Sequence, residues 1–355
     1  MTLPAFGTVV SRDPPPRQGP VEGDMRAAFV LPRLSRVRPW QRVHALRDTV
    51  EAAHAALALR TPGARAAVDA IRRAGTELQR LCALDPDALL AVPLLLAGGH
   101  WATRQAIATA VVLETMLARR GTPADRRRSA VLAALTMDVG LAALNDRLYA
   151  QAGALNPTER AWMLGHPQHG VDLLADAGVC DAPWLSIVAQ HHEHLDGSGY
   201  PLGISGDTLL AESQALMVAE RWCAMVAPRA YRPGAPPDEA LRLLQARLRG
   251  EADPDTVGLL AETVGPAPPG TAVRLASGEL ALVHRRTADP ALPMVMVLRS
   301  AGGELLGEGL RRSSAEPGHR IDACIGHSAL GCPIDPERIW EAAEVAAEGA
   351  TPVVA

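Results

Sequence analysis

Residues 191–201 read HHEHLDGSGYP: two adjacent histidines, then carboxylates, then a glycine-rich turn that closes on Tyr200 and Pro201. The pair alone is weak, because 11 histidines in 355 residues produce such doublets by composition, and a helix running out into a turn explains them. Its company carries the chemistry. His100, Asp138 in TMDVG, His166 in GHPQHG and the His191-His192 pair are imidazoles and a carboxylate spread over one helix-patterned region. Glu220 in MVAERWC joins them if its own helix packs nearby. Imidazole with carboxylate suits borderline divalent metals such as iron, manganese, nickel or zinc. Cations held in this way lower the pKa of water and offset anionic charge at phosphorus, which is what hydrolysis of a phosphodiester requires.

The elements that must position these groups are mostly helices. Apolar residues recur at helical spacing at Val43, Leu46 and Val50 and again at Val68, Ile71 and Leu78. The pattern continues through WATRQAIATAVVLETMLARRG and RRSAVLAALTMD. In NPTERAWMLGHPQHGVDLLADAG, Asn156 is a good N-cap, Pro157 fits the first helical position and Glu159 stands where a capping box needs it. Further helices are expected over 183–193, 208–227 and 237–249. The character changes after PAPPG at 266–270: TAVRLASGELALVHRR reads as two strands about Ser277-Gly278, and PMVMVLRS as a third. GGELLGEGL lacks any phosphate-loop spacing and reads as a turn between strands, and a last helix is expected from Asp335-Pro336 to about Ala347. The expected organisation is a loosely ordered leader (1–38), an N-terminal helical segment (39–74), a helical domain (75–250), a small β-rich appendage (264–326) and a C-terminal helix and tail (335–355). The fold class is mainly α.

Composition narrows the remaining choices. Hydrophobic residues at 48% and charged residues at 21% are ordinary for a globular protein, and a net charge of −4 argues against a nucleic-acid or membrane-surface binder. The five cysteines are odd in number, scattered and never in a C-x-x-C pair, so a reducing, cytoplasmic setting is expected. No signal-like start and no apolar run of membrane length is present. All 35 basic residues are arginine.

HHEHLDGSGYP followed by LGISGDTL resembles the signature of the HD-GYP proteins, the branch of the HD phosphohydrolases associated with cyclic di-GMP hydrolysis. MDVGLAALND resembles the region of their His-Asp pair, LNPTERAWMLGHPQHG their helix ending in His-Pro, and APRAYRPG their Arg-Pro segment. Position 137 lies 29 residues before His166, and Glu220 lies 29 after His191, separations in keeping with the family. The resemblance covers about 75–250, and PPGTAVRLASGELALV is similar to a β appendage that some members carry. It implies an HD-type helical bundle. By position it implies metal ligation by Asp138, His166, His191, His192 and Glu220, with His100 as an upstream histidine that joins the site and Asp138 as the catalytic carboxylate. Asp196, Gly197, Gly199, Tyr200 and Pro201 would shape the substrate mouth, with Arg229 and Arg232 beside it. Gly197 and Gly199 are expected to serve turns with positive φ.

Four positions depart from the pattern. Met137 replaces the histidine of the pair, and a neutral thioether is a poor partner for hard or borderline ions. Glu220 stands for an aspartate, Cys223 for a second aspartate one turn on, and Leu141 for a lysine expected to meet substrate phosphate. Arginine would have kept the charge at 141 in a chain without lysine; leucine does not. His169, one turn after His166, is a minor candidate for the missing nitrogen, and His194 a weaker one. Two readings follow. One is a cyclic di-GMP phosphodiesterase of weakened activity with one tightly bound transition metal and a second weak or absent. The other is an inactive member serving as a cyclic-dinucleotide sensor or protein-interaction module in signalling. The sequence leaves the oligomeric state open.

Overall fold

The computed structural model describes residues 38–142, 153–229 and 232–340, so the expected leader and the end of the last helix lie outside the described residues. Helices α1 (Pro39–Ala58) and α2 (Ala64–Leu84) pair along buried stripes, Trp40, Val43, Leu46, Val50 and Leu57 meeting Val68, Ile71, Leu78 and Leu81. Short helices α3 (Pro86–Leu90) and α4 (Val92–Leu95) lead to α5 (Trp101–Arg119), which is buried on nearly every side and packs against several neighbours. A helix apolar all round belongs at the centre of a bundle. Helix α6 (Ala124–Thr136) lies along α5 and ends in a single 3-10 turn, Val139–Leu141. Next come α7 (Pro157–Asp176), α8 (Ala182–Gln190), α9 (Ala211–Val226), α10 (Pro237–Arg247) and α11 (Pro254–Val264).

The capping box of α7 is present in both directions: Asn156 Oδ1 accepts the Glu159 amide at 2.9 Å, and Glu159 accepts the Asn156 amide at 2.9 Å. The helix does not end at His166-Pro167, as expected from the motif, but carries Pro167 inside and runs on to Asp176. Helix α2 is unbroken across the expected 74/75 boundary, and Gly75 lets it lie close against α6: a Cβ there would stand 2.8 Å from Leu132 Cδ2. Helix α11 had no sequence expectation; Asp253 caps it by accepting the amides of Asp255 and Thr256.

The appendage is a five-stranded antiparallel sheet in the order β4-β3-β2-β1-β5, with β1 Ala272–Leu275, β2 Leu280–Arg285, β3 Met294–Arg299, β4 Leu305–Ser313 and β5 Ile321–Cys324. The hairpin about Ser277-Gly278 and the third strand agree with the periodicity. GGELLGEGL, expected as a turn, instead feeds the edge strand β4, whose polar, glycine-broken pattern carries no alternation because much of the strand is exposed. Val273, Ala281, Val283, Val295 and Val297 form a core under the sheet. Ion pairs fasten it to α3: Arg285 Nη2 donates to Asp85 at 2.9 Å, and Arg286 pairs with Asp87.

Candidate metal centre

His166, His191 and His192 come from α7 and the end of α8, and their ligand atoms gather within 4.8 Å of one another. Pro167 helps to aim the first. Having no N–H, it leaves the Met163 carbonyl without its helical donor, and His166 Nδ1 takes that oxygen at 2.6 Å. His191 sits at the C-cap of α8 and donates Nδ1–H to the Val188 carbonyl at 2.6 Å, another acceptor that the helix end leaves open. Those bonds assign the proton of both rings to Nδ1, so both Nε2 atoms carry lone pairs.

The two Nε2 atoms face each other at 3.1 Å in a buried setting. Two lone pairs at that separation repel unless a cation lies against both. Nitrogen ligands at about 2.0–2.1 Å from one ion stand roughly 3 Å apart, so the residues fit a divalent metal. Asp138 Oδ1 lies 3.6 Å from His166 Nε2, and Glu220 Oε2 lies 4.0 Å from His192 Nδ1. Burial, and in the second case also the neighbouring His166, depresses the pKa values of His166 and His191, the latter to about 3. Burial and the two neighbouring imidazoles drive His192 well below its ordinary value. Burial, with Asp138 beside it, raises Glu220 to about 8. Neutral imidazoles are the ligand form, so burial has already prepared the donors.

Two glycines let the backbone close around this group. A Cβ at Gly140 would stand 2.2 Å from the His166 carbonyl oxygen, so only glycine brings the Asp138 turn against α7. Gly197 has the expected positive φ of 78°, whereas Gly199 does not. Its role is close approach: a Cβ there would lie 2.5 Å from the His192 carbonyl oxygen. Tyr200 then stacks on His192 with ring centroids 4.6 Å apart, and the Tyr200-Pro201 bond is cis.

Other expected site residues are placed differently. His100 is at the N-cap of α5, over half exposed, with Nε2 3.5 Å from Glu51 and outside the histidine cluster. Asp196 is exposed and accepts from the Ser198 amide and hydroxyl, bonds that lower its pKa. Arg229 lies over the Trp101 ring at 4.9 Å, while Arg232 donates to the Ala224 and Met225 carbonyls in the last turn of α9 and to the Pro233 carbonyl. Ala230 and Tyr231 between them lie outside the described residues. His169 packs against Trp162 in a tilted pair, ring centroids 4.8 Å apart, and is not in the cluster, and His194 bonds Ser198 and Arg221.

Glu193 was missed by the sequence reading. Buried between the histidines, it accepts the amides of Leu202, Gly203 and Ile204 and so holds the segment after Pro201. Its place inside HHEH was the only signal, and a charged residue in a turn ordinarily reads as solvated.

Residues 92–256 match the HD domain family. The chain is 30% identical over 217 residues to a cyclic di-GMP phosphodiesterase of Pseudomonas aeruginosa, covering 61% of this chain and 52% of that protein. A cyclic di-GMP phosphodiesterase response regulator of Xanthomonas campestris is 32% identical over 130 residues, with 36% of this chain and 34% of that protein covered. A solved HDG"Y"P protein of Bdellovibrio bacteriovorus superimposes with a TM-score of 0.55 at 16% identity, over 65% of this chain and 74% of that one, which shows the fold.

The chain is similar to HD-GYP proteins.

It spans about half the length of the first of these curated relatives and about a third of the second. HD domains are metal-dependent phosphohydrolases, and the His166-His191-His192 triad is the group among the described residues that could hold a metal. Among the described residues no helix is long and apolar enough to cross a membrane. Met137, Leu141 and Cys223, the positions expected to depart from the HD-GYP pattern, are interior, each at most 1% exposed.

Proposed function

We propose that this chain is a metal-dependent phosphodiesterase acting on a cyclic dinucleotide, cyclic di-GMP, with weakened turnover. The observation that carries the reading is the convergence of His166 and His191 Nε2 beside His192 and Asp138. The curated relatives named as cyclic di-GMP phosphodiesterases support the substrate class. One transition metal (iron, manganese, nickel or zinc) would be held by the three imidazoles and Asp138, with a second, near Glu220, weak or absent. When bound, it supplies positive charge at the phosphorus centre and acidifies water. The chain's own residues do the rest. Met163 and Val188 carbonyls fix the rings, Tyr200 backs His192, and Glu193 holds the loop of the substrate mouth. Asp138, buried beside His166, is the catalytic carboxylate.

The alternative is a nucleotide-binding or protein-binding member that does not turn over. The burial of Leu141 favours it, since no cation at that position reaches a phosphate. The test is formation of linear and mononucleotide products from cyclic di-GMP by protein of known metal content. Slow turnover that disappears in Asp138→Ala supports the enzyme. Binding without any product over days, in metal-loaded protein, supports the sensor.

A further inference from the structure

Helix α1 lies outside the segment that matches the HD domain, yet it packs against the turn that follows Asp138 and against α7. Between α1 and the start of α5 lies a cavity of about 540 Å³, within the range of small-molecule sites. Its polar lining is Asp48, Glu51 and His54 from α1 and His100 and Thr103 at the start of α5, and Ala142, four residues beyond Asp138, also lines it. The remaining lining is alanine and leucine.

His54 is buried and places Nε2 2.7 Å from the Leu135 carbonyl in the last turn of α6. A bond to a carbonyl makes Nε2 the donor and leaves Nδ1 an acceptor. Asp48 is already paired with Arg47 at 2.8 Å, so Glu51 is the carboxylate that the cavity offers a donor edge. Glu51 is held in place: one oxygen accepts the His100 amide at 2.9 Å, and the other lies 3.5 Å from His100 Nε2.

We propose that this cavity is a nucleobase subsite for a guanine ring, with Glu51 as the residue that reads it. The inference rests on the cyclic-dinucleotide reading above. Apolar alanine walls suit a flat ring, and guanine's pairing edge offers two adjacent N–H donors that match a carboxylate. Adenine puts a ring lone pair beside its amino group there, which a carboxylate repels. A carboxylate held on a half-buried wall and left facing a lone pair disfavours that ring.

The experiment titrates cyclic di-GMP and cyclic di-AMP into the full chain as wild type, Glu51→Gln and Ala55→Trp, with metal content and melting temperature measured alongside. Wild type favours cyclic di-GMP by about tenfold or more, the scale of one discriminating contact. Glu51→Gln keeps its size and can still accept the His100 amide, so it folds and holds metal, but the preference falls to near one or binding is lost. Ala55, exposed on α1 and lining the cavity, becomes a plug as tryptophan and weakens both nucleotides at least tenfold. A Glu51→Gln chain that keeps the preference, or an Ala55→Trp chain that binds like wild type, overturns the subsite and leaves the phosphodiesterase reading standing. A wild type that binds neither nucleotide overturns both.

Discussion

His166 Nε2 and His191 Nε2 stand 3.1 Å apart with their Nδ1 protons committed to the Met163 and Val188 carbonyls. The two rings cannot turn to share a proton without giving up a buried hydrogen bond, so a cation is the partner that satisfies both.

Protein dialysed without added metal should retain about one transition metal per chain, and His191→Ala should lose most of it. A metal present at 100 times its Kd stabilises the fold by about 2.7 kcal/mol, so chelation should lower the melting temperature by several degrees. Elemental analysis and paired melts check this. Two metals that survive dialysis, or a His191→Ala chain with unchanged metal and melting, would count against the ligand assignment.

Acid should weaken the metal-free protein. His191 is held at about 3 against an ordinary 6.5, so between those values the unfolded chain takes up a proton that the native chain refuses, and stability falls as pH drops. From pH 6.5 to 5 that is about 2 kcal/mol, at 1.36 kcal/mol per unit. Glu220, raised to about 8 from 4.5, acts in the opposite sense over the same window and offsets a similar amount. His166 and His192 shift in the same direction as His191 and decide the sign. The melting temperature in chelator should therefore fall from pH 6.5 to 5; a rise would show that Glu220 outweighs the imidazoles.

Gly140→Ala should separate the Asp138 turn from α7, because its methyl would meet the His166 carbonyl oxygen at 2.2 Å and the Gly170 amide nitrogen at 2.7 Å. Overpacking against backbone costs about 1–3 kcal/mol or more. The urea midpoint and the metal content should drop together, and a change in neither would mean the turn has room that this close contact denies.

Met137→His places an imidazole next to Asp138 and should raise metal content toward two and with it the hydrolysis rate, by roughly tenfold for each 1.4 kcal/mol of barrier removed. Leu141→Lys works against this at the level of folding. Its side chain is 1% exposed, and an unpaired ammonium there should cost several kcal/mol. The double variant should therefore melt well below Met137→His alone. Equal melting temperatures, with faster product formation in the double variant, would show that position 141 reaches the site.

Local signals settled much of this protein from sequence. Asn156, Pro157 and Glu159 mark the start of α7 because a cap needs only neighbours three residues apart, and the apolar spacing of α1 and α2 marks their buried faces. HHEHLDGSGYP carried the resemblance to HD-GYP proteins because its residue types are unusual in combination. What the chain order could not decide was distance. His166 and His191 are 25 residues apart, and whether their nitrogens meet depends on how α7 lies against α8 and on where Pro167 frees a carbonyl. His100 matches the family by position, but the loop before α5 sets it beside Glu51 instead of in the cluster. Glu193 and Gly140 act through backbone atoms brought close only by packing, and steric approach leaves no trace in periodicity. Edge strand β4 escaped for a related reason: an exposed edge buries too little to write an alternating pattern, so only pairing with β3 makes it a strand.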